Sequence, residues 1–282
     1  MEKIAIITDS SCDLSREELE RNNIFCLPFR IIYSYVDFED GVTIQPDEVY
    51  ANLQKEIPTT SLPDTKKIEE LISKLEADGY THVISINISS NLSGTLNSIR
   101  LVLEDHPNLT SFVYDTKTLT VAQGHIAIKA AEMIKNGKTF NEIVEALPKL
   151  RKSFDVYFTL STLEYLKKGG RIGKVAGTIG ELLNLKPVIY VADEGVYTTY
   201  AKLRGRKQSL NKLQEVIKEY LSKGKCNLYL VEGHAKTEIK EFYEKVKDLP
   251  NLNNVSISTL GPALGVHTGP GLVGICIEKI GW

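Results

Sequence analysis

Over residues 3–88 the sequence switches repeatedly between runs of consecutive apolar residues and apolar residues at helical spacing. KIAIIT is the short run a buried strand needs, LSREELERN reads as a helix, FRIIYSY is a further β-rich run, and THVISINI is a strand entered from the DGY turn. Before that turn, Ile68, Leu71, Ile72 and Leu75 recur at i, i+3, i+4 and i+7, which puts one apolar stripe on a helix beginning near Asp64. Strands alternating with helices pack as a mostly parallel sheet covered on both faces, and such sheets receive ligands at the carboxyl ends of their strands.

The second half follows another pattern. After a helix over TFNEIVEALPKLRKSF, KPVIYVADEGVYTTYAK reads as two β runs around a DEG turn, a hairpin, and CNLYLVEG, NVSISTL and LVGICIEKI supply further strands, with helices near 207–223 and 236–248. The expected architecture is α/β with two domains: an N-terminal mostly parallel α/β sheet domain over residues 1–157, and a C-terminal α+β domain with a mixed or antiparallel sheet over 158–282.

The formal net charge of -2 gives no overall attraction for nucleic acid or an anionic membrane, so any anion site must be local. The segment KIAIITDS has no charged start, apolar run and small-residue cleavage site, and no apolar stretch approaches the length of a membrane span, so a cytoplasmic location is expected. Cys12, Cys26, Cys226 and Cys276 are scattered without a CxxC pair, which favours buried thiols over disulfides or a zinc site.

Several turns gather polar groups. In INISSNLSGT, Ser89, Ser90 and Ser93 crowd a strand-to-helix junction, with Gly94 allowing close backbone approach; free N–H groups, a helix dipole and a hydroxyl there suit a carboxylate or phosphate, or Ser93 simply caps the helix. PTTSLPD offers Thr60 and Ser61 before another helix. Asp9 and Asp13 flank the loop TDSSCDL; an Asp-x-Asp phosphatase would need a carboxylate at residue 11, which is Ser11, so Asp9 reads as a cap or loop organiser. STLEYLKKGGRIGK fails as a phosphate-binding loop, because Lys168 replaces its first glycine and Val175 its final hydroxyl residue; a helix stopping at Gly169-Gly170 explains it, leaving Arg171 to face an anion or a partner. Lys202, Arg204, Arg206 and Lys207 make a compact basic patch before a helix. GPALGVHTGPGLVG places His267 in a glycine-rich loop that the backbone can shape around a ligand, where an imidazole can donate to a carboxylate or act as acid or base.

In their order, TDSSCDL, TTSLPD, SSNLSGT, STLEYLKKGGRIG and GPALGVHTGPGLVG resemble the DegV family of bacterial lipid-binding proteins over essentially the whole chain. The resemblance implies two domains with a long-chain fatty acid in a tunnel between them. It also implies a fatty acid kinase subunit that presents the acid to a separate ATP-binding kinase subunit and carries away the acyl phosphate. Carried over by motif position, the carboxylate contacts would be Thr60 or Ser61, Ser93 with the Gly94 amide, and His267, and the basic segment from Lys202 to Lys207, with Arg204 and Arg206, would face the kinase partner or the phosphate, joined by Arg171 from its own turn; no metal and no cofactor beyond the bound fatty acid is expected. Thr116, where serine is common in the family, and Leu264 and Val266 beside the histidine depart from the pattern.

Two other readings use the same residues. One is an acyl hydrolase with Ser93 as nucleophile and His267 as base, for which no G-x-S-x-G elbow is present. The other is a lipid-responsive regulator acting through a protein partner without phosphorylation.

Overall fold

The computed structural model describes residues 2–178 and 185–281. Its first half runs β1 (Ile4–Asp9), α1 (Arg16–Asn22), β2 (Ile24–Leu27), β3 (Arg30–Ile32), β4 (Asp37–Glu39), α2 (Pro46–Asn52), β5 (Thr59–Ser61), α3 (Thr65–Ala77), β6 (His82–Asn87), α4 (Thr95–Glu104), β7 (Thr110–Asp115), α5 (Thr120–Lys135) and α6 (Phe140–Lys152). The second half continues β8 (Phe154–Thr159), α7 (Glu164–Lys168), β9 (Val188–Val191), β10 (Tyr197–Ala201), α8 (Arg206–Lys223), β11 (Cys226–Gly233), α9 (Lys236–Val246), β12 (Leu252–Thr259), α10 (Pro262–Thr268) and β13 (Leu272–Lys279).

Every residue of β1 is buried, and the strand lies inside a parallel sheet of order β2-β1-β6-β7. The helix expected near Asp64 is α3: the Asp64 side chain accepts the Lys66 N–H, and Ile68, Ile72 and Leu75 are buried against α4 and one face of this sheet. The second sheet is mixed, ordered β10-β9-β8-β13-β11-β12, with β11 and β12 parallel and the other neighbours antiparallel. The DEG hairpin is β9 and β10. Residue 157 lies inside β8, which pairs through Phe154 with β13.

Between the sheets runs a continuous apolar core that joins Ile84 and Ile86 of the first to Phe158 and Val231 of the second, with α5 and α6 inserted into it. Two segments differ from their sequence expectation. FRIIYSY contributes only Arg30–Ile32, as the middle strand of a separate antiparallel sheet of order β4-β3-β5, and its partner β5 is the segment that carries Thr60 and Ser61. GPALGVHTGPGLVG is not a loop throughout: Pro262 at the first helical position and the buried run Ala263, Leu264 and Val266 make α10. Gly265 stays a glycine because a Cβ there would stand 2.9 Å from the Tyr50 hydroxyl of α2, and Gly269, at φ 67°, ends the helix.

Candidate functional site

Four segments converge at the carboxyl edge of the parallel sheet, where its strands release polar turns. The turn after β6 is closed by Ser93 N–H donating to Ser89 carbonyl at 3.1 Å, and it carries Ser93 to the start of α4. β5 brings Thr60 and Ser61, α10 brings His267 in its last turn, and the turn after α7 brings Arg171. Together Thr60, Ser61, Ser93, Arg171 and His267 line one cavity of about 180 Å³, whose remaining walls are Phe29, Leu62, Ile88, Leu92, Tyr197, Ala263 and Leu264. The polar groups sit among apolar ones, as a site for an amphiphile requires.

The closest pairing inside it is Thr60 Oγ1 with His267 Nε2 at 2.6 Å, across a sequence separation of 207 residues. Burial, and secondarily the nearby Arg171 charge, hold the imidazole pKa down to about 4, so at neutral pH His267 is uncharged. Its Nδ1 is buried without a partner and faces Gly169, where a Cβ would stand 2.1 Å away. Arg171 spans the cavity edge: Nε donates to Leu92 carbonyl at 3.3 Å and Nη1 to Gly169 carbonyl at 2.6 Å. The turn of the DEG hairpin closes on the same serine-rich segment, with Ser89 Oγ donating to Gly195 carbonyl at 2.8 Å and Asn91 Nδ2 to Glu194 carbonyl at 2.6 Å.

Ser93 Oγ pairs with Thr95 Oγ1 at 2.8 Å, while the imidazole pairs with Thr60, so the hydroxyl joined to His267 belongs to β5 and not to Ser93. Gly94 is the exposed N-cap residue of α4, at φ -79°, with only the Leu62 side chain near a would-be Cβ, at 3.8 Å. Asp9 organises the turn after β1, accepting from Ser11 N–H at 3.2 Å and Ile88 N–H at 3.0 Å. The basic segment divides: Lys202 and Arg204 are exposed, whereas Arg206 forks onto Glu238 and donates to Gly271 carbonyl at 2.7 Å. Among the described residues, none of these three lines the cavity.

A second cavity, about 30 Å³, adjoins the first through Tyr197 and Leu264, which line both. Its other walls include Leu119, Val156, Phe158, Val231, Leu260, Leu272, Gly274 and Ile275. Its two threonines are satisfied elsewhere, Thr120 by Asp13 and Thr268 by Leu264 carbonyl, so the lining presents essentially hydrocarbon. Tyr197 and these walls had no sequence signal, because strands distant in sequence bring them together. Among the described residues there is no group of three His, Cys, Asp or Glu arranged to hold a metal, and no helix long and apolar enough to cross a membrane.

A parallel sheet and a mixed sheet, with one cavity that sets hydroxyls, an imidazole and a guanidinium among apolar walls and a smaller, almost wholly apolar cavity that shares Tyr197 and Leu264 with it, define a two-sheet α/β protein. The chain belongs to the DegV family: the family model described as "Uncharacterised protein, DegV family" matches residues 3–279. It is 50% identical over 279 residues to a DegV domain-containing protein of Clostridium perfringens, covering 99% of both chains. Its fold is similar to that of DegV, a fatty acid binding protein from Bacillus subtilis, with TM-score 0.91, 28% identity, and coverage of 99% of this chain and 100% of that one. It is also similar to a stearic acid-binding protein from Eubacterium ventriosum, with TM-score 0.88, 32% identity and 98% coverage of both chains.

Proposed function

We propose that this protein binds a long-chain fatty acid, with the carboxylate received by Thr60, Ser61, Ser93, the Gly94 amide and His267, and the alkyl chain directed past Tyr197 and Leu264. The observation that carries this reading is the change in lining between two cavities that share Tyr197 and Leu264: hydroxyls, a neutral imidazole and a guanidinium among apolar walls in the first, hydrocarbon in the second. A carboxylate taken from water needs such partners, since leaving it unpaired costs several kcal/mol, while each buried methylene contributes about 0.8 kcal/mol. The fatty acid binding of the similar Bacillus and Eubacterium proteins supports the same ligand class.

Beyond binding, we propose that the protein is a carrier: it presents the carboxylate to a separate ATP-dependent kinase subunit and carries the acyl phosphate, with phosphoryl transfer performed by the partner. Arg171 at the cavity edge and the exposed Lys202 and Arg204 are the cations available to such a partner or to the phosphate; Arg206 is already paired with Glu238. In this reading the chain divides into units over residues 1–157 and 158–282, with the connection falling in β8, which pairs with β13. A cytoplasmic location fits this role.

Native mass spectrometry of the purified protein, followed by denaturing extraction, tests the binding reading. A stoichiometric long-chain fatty acid is expected; an empty protein that also takes up no added palmitate refutes it. Acyl phosphate formation with an added kinase subunit and ATP, weakened by charge reversal at Lys202 and Arg204 with lipid content intact, is the result expected of the carrier. Hydrolysis of an acyl ester that is lost in both Ser93→Ala and His267→Ala would replace it with an enzyme.

A further inference from the structure

The helix that carries His267 is started by side chains from the segments that follow β1 and β4, and not by a cap of its own. Gly261, at the N-cap of α10, has no side chain to accept the first free N–H groups. Two carboxylates take that place: Asp13 Oδ1 accepts the Gly261 N–H at 2.8 Å, and Asp40 Oδ1 accepts the Ala263 N–H at 2.9 Å. Each second oxygen is also fixed, Asp13 Oδ2 by the Thr120 hydroxyl at the start of α5 and Asp40 Oδ2 by Ser10 Oγ at 2.6 Å. The approach is close enough that a Cβ on Gly261 would stand 2.7 Å from Asp13 Oδ1.

A serine at residue 261 would cap a helix at far lower cost than two acids taken out of water. Burial raises both carboxyls, Asp13 to about 8 and Asp40 to about 6, because it disfavours their charged forms. What the arrangement supplies is a fixed position for a seven-residue helix between the sheets. The other end of that helix meets β5 through the bond from His267 to Thr60. A shift at Gly261 therefore moves the imidazole.

We propose that Asp13 and Asp40 are positioning residues for the head-group site: by holding Gly261 and Ala263 they set His267 at bonding distance from Thr60. This rests on the cavity being a fatty acid site, and the test separates the two ideas. Asp13→Ala, Asp40→Ala and their asparagine counterparts are compared for affinity to palmitate and to hexadecanol, which shares the tail and lacks the carboxylate. In parallel, nitrogen-15 signals of labelled His267 are followed without ligand. The alanine variants should weaken palmitate about tenfold, the cost of losing a hydrogen bond to a charged group, and shift the His267 signals. They should leave hexadecanol within about twofold, and add nothing in a His267→Ala background. Asparagine, which keeps an acceptor oxygen, should restore most of the loss.

Should the alanine variants not fold, Gly261→Ala displaces the helix start with both acids retained, and the same palmitate-only loss is expected. Equal losses for both probes, full additivity with His267→Ala, or unchanged His267 signals would overturn the proposal. A wild-type protein that binds neither probe would defeat the fatty acid reading instead, while the imidazole signals would still decide whether the two acids place His267.

Discussion

Gly169 stands against His267 so closely that a Cβ on the glycine would lie 2.1 Å from Nδ1 of the ring. The residue that ends α7 thus forms one wall of the imidazole slot, and Thr60 on β5 faces the ring's other nitrogen. The glycine pair that punctuates the sequence after LEYLKK has two separate duties. Gly170, at φ 71° with nothing near a would-be Cβ, serves the turn, whereas Gly169, at φ -76°, serves the histidine.

That division predicts different outcomes for two alanine substitutions. Gly169→Ala is allowed by its backbone but must push the ring off Thr60, so palmitate affinity should fall by about tenfold or more. Gly170→Ala places a side chain at positive φ, costs about 1 kcal/mol of stability, and should leave the affinity near wild type. Calorimetric titration and thermal unfolding of both proteins check this. Equal affinity losses would mean that turn geometry, not the imidazole slot, governs binding.

Ligand binding should draw a proton onto His267. The free ring is held down to about 4 by burial and by Arg171, and a carboxylate arriving beside it favours the charged form by roughly one to three pH units. The bound state then holds more proton than the free state between the two values, so affinity should rise as pH falls from about 7 to about 5. Protonation of the fatty acid itself contributes in the same range and is removed by comparison with His267→Gln. Identical pH profiles for the two proteins would show that the ring stays neutral in the complex.

How much of this was readable from the chain follows the range of the contacts involved. α3 was legible because Ile68, Ile72 and Leu75 recur at helical spacing and Asp64 caps the helix locally. α5 was not, because Ala122, Gln123, Ala127, Ala130 and Ala131 are buried on several sides between the two sheets and leave no single stripe. Thr60, Ser93 and His267 announced themselves as polar residues in glycine-rich or proline-rich turns, yet the joining of Thr60 with His267 depends on β5 pairing with β3, a register that FRIIYSY does not encode by itself. Asp40 gave no signal, since its partner Ala263 is a backbone amide far along the chain.

Asp13 should leave a mark on the pH dependence of stability. Its pKa is raised by burial from 3.8 in the unfolded chain to about 8 in the folded one, so between these values the native state binds the extra proton. Its contribution to stability is therefore fully present below about pH 4 and declines as pH rises towards 8. Urea unfolding of wild type and Asp13→Asn from pH 4 to 8 should show the wild type losing stability relative to the variant. A constant difference across that range would show that Asp13 is ionised in the native protein.

The far cavity should set how much alkyl chain is accommodated. Gly274 on β13 lines it, and a Cβ there meets the Leu272 side chain and Phe158 Cβ at 3.5 Å and Tyr157 carbonyl at 3.6 Å, all ordinary contacts. Gly274→Ala should therefore fold normally while occupying space in a cavity of only about 30 Å³, and Gly274→Val should occupy more. Neither touches Thr60 or His267. At about 0.8 kcal/mol per methylene denied its place, palmitate should weaken about fourfold for each one displaced, whereas laurate, four methylenes shorter, should be little affected. Competition binding of the two acids to wild type and both variants reads this directly. If both acids weaken equally, the tail does not enter past Tyr197 and Leu264, and the chain must leave the first cavity by another route.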